Sequence, residues 1–242
     1  SLKRILFKSF LYYSGVGSFD IQSGKNFLES LYVREIEYLD FCIKTLIEGF
    51  EDLGILQDSL LIFTSDHGES FYEHGNIGHM SGLYNENLKI PLLMLLEEER
   101  GVSNSHVSLI DLAPTILSML NIKQPISFHG KDMFVGGKRE IIAEHAAIDL
   151  ANFKVLDDSL AVACIVDNWK LIVSLSPYHF KAELYNILED SAERRNLFDQ
   201  EPQISRELLK RIYRHLKMIR FVKRIRKVSK KIEKRIKKKN FP

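Results

Sequence analysis

Apolar residues recur along this chain in two rhythms. From Lys25 to Leu53, Phe27, Leu31, Ile36, Leu39, Ile43, Leu46 and Phe50 return at the spacing of one helix face. Gly54 supplies the stop. The rhythm then changes. Leu60 to Phe63 is an unbroken apolar run between polar residues, which predicts a buried strand of an α/β sheet over Leu60–Thr64. Lys89 to Leu96 predicts a second, with Ile90–Leu95 as its buried neighbour and Pro91 suited to a strand end or edge. Val107 to Leu120 returns to the helical period, with Asp111 and Pro114 near its start. Asp111 is expected to act as a structural cap and not as a catalyst. Residues 121–138 carry Pro125, Gly130, Gly136 and Gly137 and predict loop. Arg139–Ala146 is a strand candidate. Leu160–Val166 and Trp169–Ser174 flank Asp167-Asn168 as a hairpin, and Ala182–Ile187 adds a short strand. From Pro202 one long helical stripe runs through Leu208, Ile212, Leu216, Ile219, Val222, Ile225, Ile232 and Ile236. Residues 1–24 show no decisive period.

Chemistry concentrates just after the first predicted strand. Thr64-Ser65-Asp66-His67-Gly68-Glu69 stands where ligands gather in open α/β sheets, at a strand's carboxyl end. Asp66 offers a hard oxygen and His67 a borderline nitrogen, a pair suited to a divalent cation. Gly68 lets the backbone turn tightly past them. His74 and His79 follow in a glycine-rich loop. Taken alone, Asp-His-Gly could equally be a plain turn in which Asp66 bonds its own backbone. Several histidines and carboxylates in one loop between two apolar runs weigh against that.

The order TSDHGE, EHG, GH and LYNENLKIPLL resembles the metal-binding segment of sulfatases in the alkaline phosphatase superfamily. The segment YVREIEYLD resembles the helix before the metal strand, with Glu35, Glu37 and Asp40 as its solvated face. DLAPT resembles the helix after it. DNWKLI, ELYNILED and RRNLF resemble the small antiparallel C-terminal subdomain. The likeness spans about residues 30–200. It implies an alkaline-phosphatase-like sheet flanked by helices, of which this chain carries the C-terminal part. Expected divisions are 1–135 for the α/β core, 136–200 for the antiparallel subdomain and 201–242 for a basic helical tail.

The resemblance also implies roles. Asp66 and His67 would bind the cation. Calcium is the ion it implies first, with manganese, magnesium or zinc as alternatives. His79 would contact the sulfate or phosphate group of the substrate and share in catalysis. His74 could add a second contact or be a loop hydrogen-bonding residue, and Glu69 would cap or orient the loop. The implied reaction is hydrolysis of a sulfuric or phosphoric ester. The family's nucleophile motif, Cys or Ser followed by X-Pro/Ala-X-Arg, does not occur: neither Cys42 nor Cys164 is followed by it. Paired aspartates of an N-terminal strand are implied as well. The chain alone is therefore expected to be inactive: a fragment of a longer protein, one half of a split enzyme completed by an N-terminal-half partner chain, or a pseudoenzyme that keeps a binding role. A phosphoethanolamine-transferase-like membrane enzyme and a non-catalytic membrane- or partner-binding module are the alternatives.

Charge adds a feature that periodicity does not show. The net charge is +2, yet residues 204–242 hold 17 Lys and Arg against 2 acids, and the remainder is net −13. Residues 205–239 are thus expected to meet an anionic membrane surface first and nucleic acid second. Packing of the stripe before Arg220 on its own domain is the competing reading. Cys42 and Cys164 are expected to be buried, inert thiols. Without a signal-peptide pattern or an apolar run of transmembrane length, the expected location is cytoplasmic, peripheral at the membrane.

Overall fold

The structure is a computed structural model that describes residues 21–79, 82–95, 101–137, 139–149, 154–175 and 180–218. The described residues fall into two compact units. The first takes residues 21–63, 70–77 and 93–95, and the second takes 64–69, 78–92 and those from 101 onward.

The first unit is built on α1, Ile21–Asp52. The predicted stop operates as expected. Gly54 has φ of 65°, and the N–H of Ile55 closes on the carbonyl of Phe50 at 2.9 Å. Glu35, Glu37 and Asp40 are exposed. The predicted apolar face is not covered, however. Phe27, Ile36, Leu39 and Leu46 are about half exposed, and so are Val33 and Phe41 off that face. Strand β1, Leu61–Thr64, pairs with β4, Leu92–Leu95, in a two-stranded sheet. The two are neighbours, as expected, but they are not buried: Phe63, Leu93 and Leu95 are all exposed. Two-residue strands β2, Ser70–Phe71, and β3, Ile77–Gly78, pair between them. The Phe71 ring meets Tyr32 of α1 edge-on at 5.1 Å.

The second unit has a finished core. Strands β5 (Glu140–Asp149), β6 (Lys154–Val166), β7 (Trp169–Leu175) and β8 (Phe180–Asn186) form an antiparallel sheet in sequence order. The predicted hairpin is present, with Val166 opposite Trp169 and Asp167 in the left-handed region at φ 51°. Alternation sorts the side chains onto two faces. Val162, Cys164, Leu171, Val173 and Leu184 face one way. Ala163, Ile172 and Tyr185 face the other, against Leu83 and Tyr84. The short helix α2, Asn85–Leu88, follows Tyr84 directly and has no counterpart in the sequence reading.

A single 3-10 turn, Leu109–Asp111, leads into α3, Leu112–Met119, so the predicted helix is present but shorter. Pro114 sits in its first turn, where no N–H partner is required. Asp111 accepts from the N–H of Ser108 at 3.0 Å and of Lys131 at 2.8 Å, and from Arg139 Nη1 at 2.9 Å. It is the structural cap expected.

Helix α4, Pro202–Met218, lays Leu208, Leu209, Ile212 and Leu216 on the first face of the sheet. Burying each such side chain contributes roughly 1.5–3 kcal/mol. Arg211 ties the helix to Glu140 at 2.6 Å. The stripe of residues 205–218 is therefore consumed by its own domain and is not free to insert into lipid. The basic run beyond it lies outside the described residues. Cys164 is buried, as expected, whereas Cys42 is only half-buried. Among the described residues no helix is long and apolar enough to cross a membrane.

Candidate metal and substrate site

The second unit carries the loop that leaves β1. Its residues are held by both side-chain and main-chain bonds. Thr64 Oγ1 donates to the carbonyl of Pro91 at 2.8 Å, and the N–H of Gly68 donates to the carbonyl of Asn87 at 2.9 Å. Gly68 was expected to make a tight turn, but its backbone is not left-handed. The reason for glycine is proximity: a Cβ there would lie 2.0 Å from the carbonyl oxygen of Glu86. The loop can lie on α2 only because that position has no side chain.

His67, Glu69 and His79 converge. Their ligand atoms lie within 4.8 Å of one another. The His67 and His79 rings stack with centroids 4.0 Å apart. His67 Nδ1 lies 2.8 Å from the carbonyl of Gly68. That carbonyl can only accept, so Nδ1 carries the proton and Nε2 keeps its lone pair. Glu69 Oε2 sits 3.0 Å from His79 Nδ1, which orients that ring and leaves its Nε2 free to act. Glu69 was expected to cap or orient the loop and not to bind metal; the structure instead sets it against His79 and among the candidate ligand atoms.

The other predicted residues are placed differently. Asp66 accepts its own neighbour's N–H, from His67, at 3.0 Å, and its side chain is 86% exposed. Its Oδ2 lies 3.7 Å from His67 Nε2, so it borders the cluster without joining it. His74 lies in the first unit, in the turn between β2 and β3. That turn holds Tyr72 at φ 77°, with its N–H on the carbonyl of Asn76 at 2.7 Å.

A divalent cation fits this donor set. Two imidazole nitrogens and a carboxylate already lie close to the separations of ligands that share an ion at about 2.0–2.2 Å. Asp66 adds an oxygen at the rim. A calcium ion would need about six to eight oxygens, most of them from outside this cluster, whereas zinc or manganese needs fewer.

Behind the loop lies a layer that sequence reasoning missed. Lys170 of β7 and Glu193 are both fully buried and pair at 2.8 Å. Burial pushes the Lys170 amine below its usual range and the Glu193 carboxyl above its own. Glu183 accepts from the hydroxyls of Tyr84 at 3.0 Å and Tyr185 at 3.0 Å. Burial, with that carboxylate second, pushes both phenols upward. Lys170, between apolar neighbours in WKLI, and Glu193, in the polar run SAERRNL, both read as solvated residues, so only their inward placement reveals them.

Comparison with known proteins places the chain in a family. The Sulfatase family model matches residues 18–122, and the model "N-sulphoglucosamine sulphohydrolase, C-terminal" matches residues 73–222. The chain belongs to the sulfatase family. It is 26% identical over 202 residues to arylsulfatase K of Canis lupus familiaris, covering 79% of this chain and 37% of that protein. A putative sulfatase, yidJ, from Bacteroides fragilis superposes with a TM-score of 0.61 at 19% identity, covering 75% of this chain and 40% of that one. BT4656, solved with D-glucosamine-2-N,6-O-disulfate, gives 0.58 at 21% identity, covering 78% and 40%. The chain thus spans about two fifths of the relatives it matches.

Proposed function

We propose that this chain supplies one part of the active site of a metal-dependent sulfuric-ester hydrolase. The convergence of His67, Glu69 and His79 after β1, in a sulfatase-family chain, carries this reading. Asp66 and His67 hold the cation, with Glu69 within reach. When bound, that ion polarises the ester oxygens and lowers the pKa of a nucleophile. His79 presents Nε2 to the sulfate group, or to the leaving oxygen as a proton donor, while Glu69 keeps its ring in place. The nucleophile and further cation ligands come from sequence corresponding to the part of the relatives that this chain does not span.

A sulfated amino sugar is the first substrate to test. One matching family model is that of an N-sulphoglucosamine sulphohydrolase, and BT4656 binds a glucosamine disulfate. Calorimetric titration of this chain with calcium, manganese and zinc tests the cation site. At least one ion should bind, and Asp66→Ala with His67→Ala should abolish that binding. Hydrolysis of an aryl sulfate by a protein that includes the remaining sulfatase sequence tests the reaction. Asp66→Ala should remove turnover there. Retained turnover would remove Asp66 from the mechanism.

A further inference from the structure

We propose that the buried Lys170–Glu193 pair positions the His67–His79 cluster, acting through Asn85 and the backbone of α2. The proposal rests on the reading of that cluster as the cation and substrate site. Lys170 and Glu193 belong to the antiparallel subdomain. They touch Asn85, the first residue of α2. Lys170 Nζ donates to Asn85 Oδ1 at 3.2 Å, and Glu193 Oε2 accepts the N–H of Asn85 at 2.6 Å. Asn85 Nδ2 donates to the carbonyl of Ser191 at 2.9 Å. One residue is therefore fixed at three points by the subdomain.

From Asn85 the constraint passes through rigid backbone. Leu88 and Lys89 close the turn on the carbonyls of Tyr84 and Asn85 at 3.0 and 2.8 Å. Asn87 and Glu86 then hold Gly68, the first by its carbonyl hydrogen bond and the second by a contact that admits no Cβ. Gly68 stands between His67 and Glu69, and Glu69 orients His79. Each link is a directional bond or a hard contact, so a shift at Asn85 is passed on to both rings.

The chemistry of the pair favours this role over stability. A fully buried ion pair is often no more stabilising than apolar residues of the same volume. Apolar residues can slide, whereas charge-assisted hydrogen bonds fix distance and angle. A cluster that shares a cation needs placement within about 0.5 Å.

The test compares variants of the full chain by the imidazole resonances of His67 and His79, whose stacked rings shift one another, and by zinc titration. Lys170→Met/Glu193→Met should keep thermal stability near that of the parent yet move both resonances. It should also weaken zinc about 10- to 100-fold, the usual cost of losing an outer support. Asn85→Ala should move the same resonances with the pair intact, and it decides the matter if the double variant does not fold. Arg139→Met breaks the Asp111–Arg139 pair, which does not touch this loop, and should leave the resonances in place. Unchanged resonances in the folded pair and Asn85 variants, or equal changes in Arg139→Met, would overturn the proposal. Failure of the parent chain to bind zinc, calcium or manganese would count against the cation reading alone, because the ring resonances still decide the positioning.

Discussion

The antiparallel subdomain and the α1/β1/β4 unit are built from equally apolar sequence, yet they reach opposite states. Val162, Cys164, Leu171 and Leu209 are fully buried. On α1 no described residue is buried, and Phe41, Val33, Leu39, Leu93 and Leu95 stand in the open. The difference lies in the partner. The subdomain contains both of its layers, a sheet and α4. Among the described residues, the two-stranded β1/β4 sheet has no second layer of its own to bury it. Exposed apolar surface on this scale marks an interface. The candidate site loop is carried by the finished unit.

Mutations should break this contrast in order of size. Lys170→Met leaves Glu193 as an uncompensated buried charge and should cost about 3–5 kcal/mol. Trp169, the sole tryptophan, lies on the adjacent strand position and reports unfolding of this unit in urea. Ile212→Ala or Leu209→Ala, in the same core, should cost roughly 2–5 kcal/mol by the same probe. Gly68→Ala must push the loop off Glu86, at about 1–3 kcal/mol, and should weaken zinc binding at the cluster. Leu39→Ala on α1 should change stability by no more than about 0.5 kcal/mol, because the side chain is already half in water. A loss of several kcal/mol there would mean that α1 is covered in the isolated chain.

The two thiols sharpen the same comparison. Burial pushes the Cys164 thiol up to about 12, against an ordinary value of 9.0. Its folded pKa is the higher one, so its contribution to stability is complete below pH 9 and is lost as pH rises toward 12. A disulfide reagent at pH 8 should therefore label Cys42, which is half-buried on α1, and spare Cys164 until urea unfolds the subdomain. Equal labelling of both in the folded chain would show the subdomain core to be open.

Sequence alone determined the elements and much of the site. Period and punctuation located α1 and its stop at Gly54, the strands at 61–64 and 92–95, and the hairpin at Asp167-Asn168, because these depend on local backbone preferences. The motif order marked the loop that holds Asp66, His67 and His79, because the family's chemistry repeats the residue types. Only the tertiary structure decided which apolar faces are covered. α1 and α4 read alike as amphipathic helices, and of the two only α4 buries its apolar face, against the four-stranded sheet. It also decided that Glu69 joins the cluster while Asp66 borders it, since that depends on side-chain direction at one strand end. Gly68 was legible as a glycine that mattered, but the cause is the Glu86 carbonyl, 18 positions away in the chain. Lys170 and Glu193 were invisible for the same reason. Burial of a charge is a property of the neighbours that surround it, and those neighbours come from sequence as distant as Asn85.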